Sequence, residues 1–266
     1  MQNNKTKNVI IIGSSKGLGA ELVNEFLKYK NIRVFGIART EYKEIQNNRQ
    51  NTEKYKHIKL DISSEECSSK IASICSELIG EPIYVIFNAA CVKSDVKKDN
   101  FIDFDIWREI DSVGINGLRN VLEGVQSHLL EYGGVFMGIS SYSALNPLIF
   151  FPTIAYPASK SYLNMVLRAL RFIWKKNKKI RIISVNLGYM RKKQGNSILE
   201  LMIPTFSNVA KVLSRAIVDP KAPNTINYTP LYNFIYGYCF KFFPDSLYYW
   251  IFHVFLKKII NSIKDN

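Results

Sequence analysis

Val9-Ile10-Ile11-Ile12-Gly13-Ser14-Ser15-Lys16-Gly17-Leu18-Gly19 is an apolar, β-branched run that stops at a glycine and restarts at helical spacing. The first four residues read as a fully buried strand. Leu18, Leu22, Phe26 and Leu27 then recur as one face of a helix over 17–29. Between them the glycines are spaced G-x-x-x-G-x-G at 13, 17 and 19. Such a turn lets a pyrophosphate approach backbone N–H groups at a helix N-terminus. The same alternation continues outward. Strands are expected at 32–38, 57–60, 83–87, 135–139 and 180–185. Helices are expected at 65–78, where Ser63 and Ser64 are candidate caps, and at 103–130, 155–175 and 197–217. Strand and helix in alternation mean an α/β fold: a doubly wound parallel sheet with helices on both faces.

Composition agrees with a globular chain. Of 266 residues, 47% are hydrophobic and 22% charged, which is neither disordered nor fibrous. Lys plus Arg is 36 against 22 Asp plus Glu, a formal charge of +14. That excess favours an anionic partner without choosing among phosphorylated ligand, membrane surface and nucleic acid. No nucleic-acid-binding motif accompanies it, so no nucleic-acid partner is expected. Cys67, Cys75, Cys91 and Cys239 form no C-x-x-C pair and no Cys/His cluster. A disulfide framework and a metal site are therefore not expected, and a reducing, cytoplasmic setting fits. No apolar run approaches the length of a membrane span.

The second expected strand ends at Ala38-Arg39-Thr40. A carboxylate at that corner would accept from a ribose 2′-hydroxyl. Arg39 stands there instead, with Lys16 in the glycine turn, and two cations suit a 2′-phosphate, hence NADP over NAD. The plainer reading is two solvated surface cations. Asp61 ends the third strand, placed to meet an adenine or to cap the next helix. Tyr156 and Lys160 are four apart on one helix face. A phenol titrates at about 10, and a close ammonium favours its anion, so Tyr156 is a candidate general acid/base with Lys160 as its electrostatic partner. A strand runs into Ser140-Ser141, at the carboxyl edge where doubly wound sheets bind ligands.

With these motifs in this order, the sequence resembles the short-chain dehydrogenase/reductase (SDR) family, of the classical type, over about residues 8–230. Gly13, Gly17 and Gly19 match its cofactor turn, and Asp61 its adenine-side aspartate. Phe87-Asn88-Ala89-Ala90 is similar to its Asn-Asn-Ala-Gly motif, and Asn186-Leu187-Gly188 to its Asn-Pro-Gly loop beside the nicotinamide. Ser141 matches the catalytic serine, and Tyr156 with Lys160 the Y-x-x-x-K pair. The resemblance implies a Rossmann-like fold and hydride transfer between NADP(H) and a carbonyl or hydroxyl group of a small molecule. Ser141, Tyr156 and Lys160 would be catalytic. Cofactor contacts would come from Gly13, Ser15, Lys16, Gly17, Leu18, Gly19, Arg39, Asp61, Ile62, Asn88, Ala89, Tyr156, Lys160, Gly188 and Met190. A homodimer or homotetramer is implied, and a non-catalytic NADP-binding sensor or scaffold of the same fold is the alternative.

The departures from the family pattern are specific. Ile12 stands where the family has Thr, Ala90 for Gly, Leu187 for Pro, and Lys192 about where a Thr touches the carboxamide. In the long helix, aligning Gly117 on the family's V-N-x-x-G puts Gly114 on the catalytic Asn. Asn116 lies about 200° around a regular helix from Gly114 and does not simply replace it. Either the helix is locally irregular, another group or a water fills the place, or the proton relay is weakened.

The organisation expected is a catalytic domain over 1–230 and a hydrophobic aromatic, helical C-terminal tail over 231–266. The tail carries Tyr232, Phe234, Tyr236, Tyr238, Phe240, Phe242 and Phe243, then an apolar run at 247–256 with Lys257, Lys258 and Lys264 behind it. It suits a lid over the substrate cleft, a dimer interface, or a segment lying on an anionic membrane surface. The last would make the protein membrane-peripheral.

Overall fold

The computed structural model describes residues 6–40, 53–146, 152–192, 203–228 and 244–251. Seven strands form one parallel sheet: β1 (Lys7–Ile12), β2 (Ile32–Ala38), β3 (Tyr55–Lys59), β4 (Ile83–Phe87), β5 (Gly134–Ser141), β6 (Ile180–Leu187) and β7 (Thr225–Asn227). Their order is β3-β2-β1-β4-β5-β6-β7. The helices are α1 (Gly17–Leu27), α2 (Cys67–Ser76), α3 (Phe104–Asp111), α4 (Gly117–Tyr132), α5 (Ala155–Ile173), α6 (Phe206–Val218) and the short α7 (Asp245–Ile251).

Alternation along β1 builds the two sides of the molecule. Ile10 and Ile12 face one layer with Ile71 of α2, Val121 and Val125 of α4, and Leu163 and Leu167 of α5. Val9 and Ile11 face the other, with Leu22 and Phe26 of α1 and Val209 and Leu213 of α6. A strand covered on both faces must be apolar at every position, which is why the central strands read as continuous runs. The chain runs outward from β1 through β2 to β3, then returns to place β4 on the other side of β1. The order reverses there, so the carboxyl ends of β1 and β4 flank a crevice.

Three sequence expectations change. The helix expected over 103–130 is α3, a π-helical turn (Ser112–Asn116) and α4. Ser63 and Ser64 do not cap α2, which begins at Cys67 after Glu66. Asp61 instead draws them into a turn, its Oδ1 accepting from Ser63 N at 2.9 Å and Ser63 Oγ at 2.7 Å. Finally, β7 was not foreseen, because three residues are too few to show a period of two. Of the aromatic tail only 244–251 is described. Leu247 and Trp250 of α7 are exposed, while 231–243 and 252–266 lie outside the described residues.

Phe26 is fully buried between α1 and the sheet. Phe26→Ala is expected to cost about 3–5 kcal/mol of unfolding free energy, read by urea denaturation.

Candidate active site

The site begins where β1 ends. Gly13 turns the chain with φ of 81°, a conformation that favours glycine. Asn88, just past β4, donates from Nδ2 to the Gly13 carbonyl at 3.3 Å, tying the two lips of the crevice together. Gly19, in the first turn of α1, is pressed so close that a Cβ would lie 1.9 Å from the Gly13 oxygen. The N-cap of α1, Lys16, has extended backbone and no side-chain cap, which leaves first-turn N–H groups available to an anion.

A groove of about 400 Å³ opens beside this turn. Gly13, Ser15, Lys16, Arg39, Thr40, Asp61, Asn88 and Ala89 line it, with apolar walls from Ile12, Ile37, Leu60, Ile62 and Val113 among others. Thr40 Oγ1 donates to Ser15 Oγ at 3.3 Å, joining the end of β2 to the turn. Lys16 is exposed and makes no ion pair among the described residues. Arg39 Nη1 stands 4.0 Å from Asp61 Oδ2, both partly open to water. Burial alone would raise the Asp61 pKa, but the Ser63 hydrogen bonds and Arg39 together hold it below the usual carboxylate value.

Ser141 closes β5, while Tyr156 and Lys160 sit in the first two turns of α5. The neighbouring serines divide their work. Buried Ser140 donates to the Lys160 carbonyl at 3.2 Å, anchoring the helix. Ser141 hydrogen-bonds the Tyr156 hydroxyl and accepts from Ser143 N at 3.1 Å. Lys160 Nζ donates to the Ile139 carbonyl at 2.9 Å and lies 3.5 Å from that of Ala89. It is 5.9 Å from the centre of the Tyr156 ring.

The electrostatics depart from the sequence expectation. Burial pushes Tyr156 above the ordinary phenol value, with the Ser141 hydrogen bond pulling the other way. The nearby ammonium does not reverse this, because Lys160 is itself buried and pushed down to about 8.

The π-helical turn faces this cluster. A Cβ on Gly114 would lie 2.8 Å from Cβ of Ser159 and 3.1 Å from its Oγ, so the missing side chain is the space Ser159 occupies. The helix is thus locally irregular at this place, and a π turn often marks a functional site.

A family model described as short chain dehydrogenase matches residues 7–200. The chain belongs to the short-chain dehydrogenase/reductase family. As an SDR it is an oxidoreductase. No curated protein matches its sequence. Solved structures share its fold. ElxO with NADP bound is 21% identical with a TM-score of 0.70, over 84% of this chain and 96% of that one. A short-chain type dehydrogenase/reductase from Mycobacterium ulcerans is 16% identical with a TM-score of 0.69, over 84% and 88%. An NADH-dependent reductase, A1-R′, complexed with NAD is 17% identical with a TM-score of 0.69, over 85% and 95%.

In this SDR the groove gathers Gly13, Ser15, Lys16, Arg39, Asp61, Ile62, Asn88 and Ala89 from the expected cofactor set. Gly17, Leu18, Gly19, Tyr156, Lys160, Gly188 and Met190 do not line it. Leu18 is buried in the layer under α1, and Met190 packs against that same layer. Gly188 follows the end of β6. Sequence reasoning missed Thr40, Val113 and the other apolar walls Ile12, Ile37 and Leu60, which converge only through the sheet. It also missed a second cavity of about 410 Å³ beyond Ser141, lined by Ser143, Leu145, Thr153, Ile154 and Pro157 among others. The buried hydroxyls of Ser143 and Thr153 find no hydrogen-bond partner among the described residues. Among those residues no three His, Cys, Asp or Glu side chains gather to hold a metal ion, and no helix is long and apolar enough to cross a membrane.

Gly114→Ala is expected to destabilise the SDR, because about 1–3 kcal/mol of overpacking outweighs the gain of about 1 kcal/mol in helix propensity. With Ser159→Gly as background the same substitution becomes neutral or stabilising, and a double-mutant cycle in urea reads the coupling. For Lys160 the folded pKa of about 8 lies below the ordinary 10.5. The unfolded chain therefore binds more protons between these values, and stability rises with pH across that window. The penalty of the buried ammonium is full below about pH 8. Tm against pH, compared with Lys160→Met, is expected to show that rise in the wild-type chain alone.

Proposed function

We propose that this SDR transfers a hydride between NADP(H) and a carbonyl or hydroxyl group of a small molecule, with Tyr156 as general acid/base. The observation that carries this reading is the Tyr156 hydroxyl bonded to Ser141, with the Lys160 ammonium beside its ring, at the sheet edge that also holds the glycine turn. The groove fits a dinucleotide: Gly19 has no side chain to obstruct the turn, the first N–H groups of α1 lack a side-chain cap, and Lys16 and Arg39 stand at the rim. A nicotinamide nucleotide would supply or accept the hydride. NADP and NAD bound to the similar structures support a cofactor of this class. The preference for NADP rests on Lys16 and Arg39, which offer charge-assisted bonds to a 2′-phosphate.

In this reading Ser141 holds the substrate oxygen beside the phenol. Tyr156, a phenol that is protonated at neutral pH and held more firmly so by burial, gives its proton to a carbonyl oxygen in the reductive direction and takes it back in the oxidative one. Lys160, held by the Ile139 carbonyl, presents positive charge where the phenolate would form. Exposed Met165, Phe172 and Ile173 on α5 support a homo-oligomer as the working form.

Calorimetric titration is expected to give tighter binding of NADPH than of NADH, and Arg39→Asp to abolish the difference. Equal wild-type affinities would refute the 2′-phosphate reading. Tyr156→Phe should retain NADPH binding while turnover of a ketone panel falls by about 100- to 10,000-fold. A chain that binds NADPH tightly and turns over none of the panel would be a sensor instead.

A further inference from the structure

We infer that Asp95 is a positioning residue for Tyr156, its side chain serving as the N-terminal cap of α5 from 60 residues upstream. The inference rests on the role proposed for Tyr156. The residue before α5, Ile154, offers no side-chain cap. Asp95 is fully buried, and its two oxygens accept separately from Ile154 N and Ala155 N, each at 2.8 Å. These are the donors immediately before Tyr156. Adjacent Ser94 donates from Oγ to the Pro152 carbonyl at 2.5 Å. Two consecutive side chains thus grip the backbone that enters the helix, one through its acceptor and one through its donors.

The grip is itself held from behind. The Asp95 carbonyl accepts from Asp103 N at 2.7 Å, and an antiparallel bridge joins Val96 to Ile102. Asp103 then caps α3, accepting from Asp105 N and Ile106 N at 3.2 Å each. From α3 the chain runs into the π turn, where Gly114 meets Ser159 of α5. Asp95 does not line the nucleotide groove, so its effect on chemistry would act through the helix. Without it the Ile154 N–H and the buried Ala155 N–H lose their acceptors, and a shift of the first turn takes Tyr156 off Ser141. Misplacement of an acid/base by about 1 Å is enough for a 100-fold loss of rate.

The test uses Asp95→Asn, Asp95→Glu and Ser94→Ala in the full chain. NADPH titration reads the groove, and kcat and KM are measured with a ketone the wild type reduces. The Tyr156 Cζ resonance in ¹³C-tyrosine-labelled protein, assigned with Tyr156→Phe, reads the phenol directly. Both Asp95 variants are expected to bind NADPH as the wild type does and to lose kcat by about 100-fold at similar KM. Their Tyr156 resonance should titrate nearer the ordinary value of 10.0 than the wild type's. Ser94→Ala should move both readouts the same way by less, and it decides the matter if the Asp95 variants do not fold. A resonance that moves in Asp95→Asn but not in Asp95→Glu would report charge alone and overturn the inference. Lower stability with kcat per folded molecule unchanged would overturn it too. If the wild type reduces no ketone, the proposed function fails, while the resonance still decides whether Asp95 places Tyr156.

Discussion

A parallel sheet imposes one constraint from which the rest follows: each strand must be reached by a crossover over one face, and a reversal in strand order leaves a crevice at the carboxyl edge. Here the reversal lies between β1 and β4. Gly13 leaves one side of that crevice and Asn88 the other, and a hydrogen bond joins them. Packing α1 against the turn demands that residue 19 carry no side chain. The groove for a dinucleotide is therefore a by-product of how helix and sheet pack, furnished with two cations at its rim.

The cluster of Ser141, Tyr156 and Lys160 sits one strand further along, at the end of β5, and is held by unusual burial. Lys160 is a cation with almost no access to water, kept in place by the Ile139 carbonyl of β5 and that of Ala89 just past β4. Breaking such an arrangement leaves an uncompensated charge, so the lysine anchors α5 to the sheet beside Tyr156. Ser140 reinforces the anchor from the strand side and Asp95 from the loop side. The phenol is fixed by a framework of backbone contacts around it rather than by one partner.

The departure at Gly114 takes on a definite form in this framework. The family's asparagine is absent, yet the helix keeps a π turn at that place, and Ser159 fills the space. Ser159 Oγ donates to the Tyr156 carbonyl at 2.8 Å, within the helix that carries the site. The local packing has been rebuilt around the loss, and the Ser–Tyr–Lys cluster stands beside it intact.

Most of the architecture was legible before any coordinates. Strand and helix signals at β1, α1, β2, β4 and β5 are strong because both faces of the central strands are buried, and burial on both sides writes continuous apolar runs into the sequence. The glycine turn and the Y-x-x-x-K pair were equally visible, since local geometry fixes their spacing. The π turn was visible only as one of the alternatives at Gly114, and the turn of Asp61 onto Ser63 and the grip of Asp95 on α5 were not visible. Each depends on partners brought together by the sheet or on a helix period that no propensity encodes. The direction of the Tyr156 shift was also misjudged from sequence, because a neighbouring ammonium can be counted from spacing but burial cannot. Sequence by itself determined which residues are available to the site and on which elements they ride. Only the tertiary structure decided their surroundings, because desolvation, close backbone approach and caps borrowed across 60 residues are properties of the packed whole.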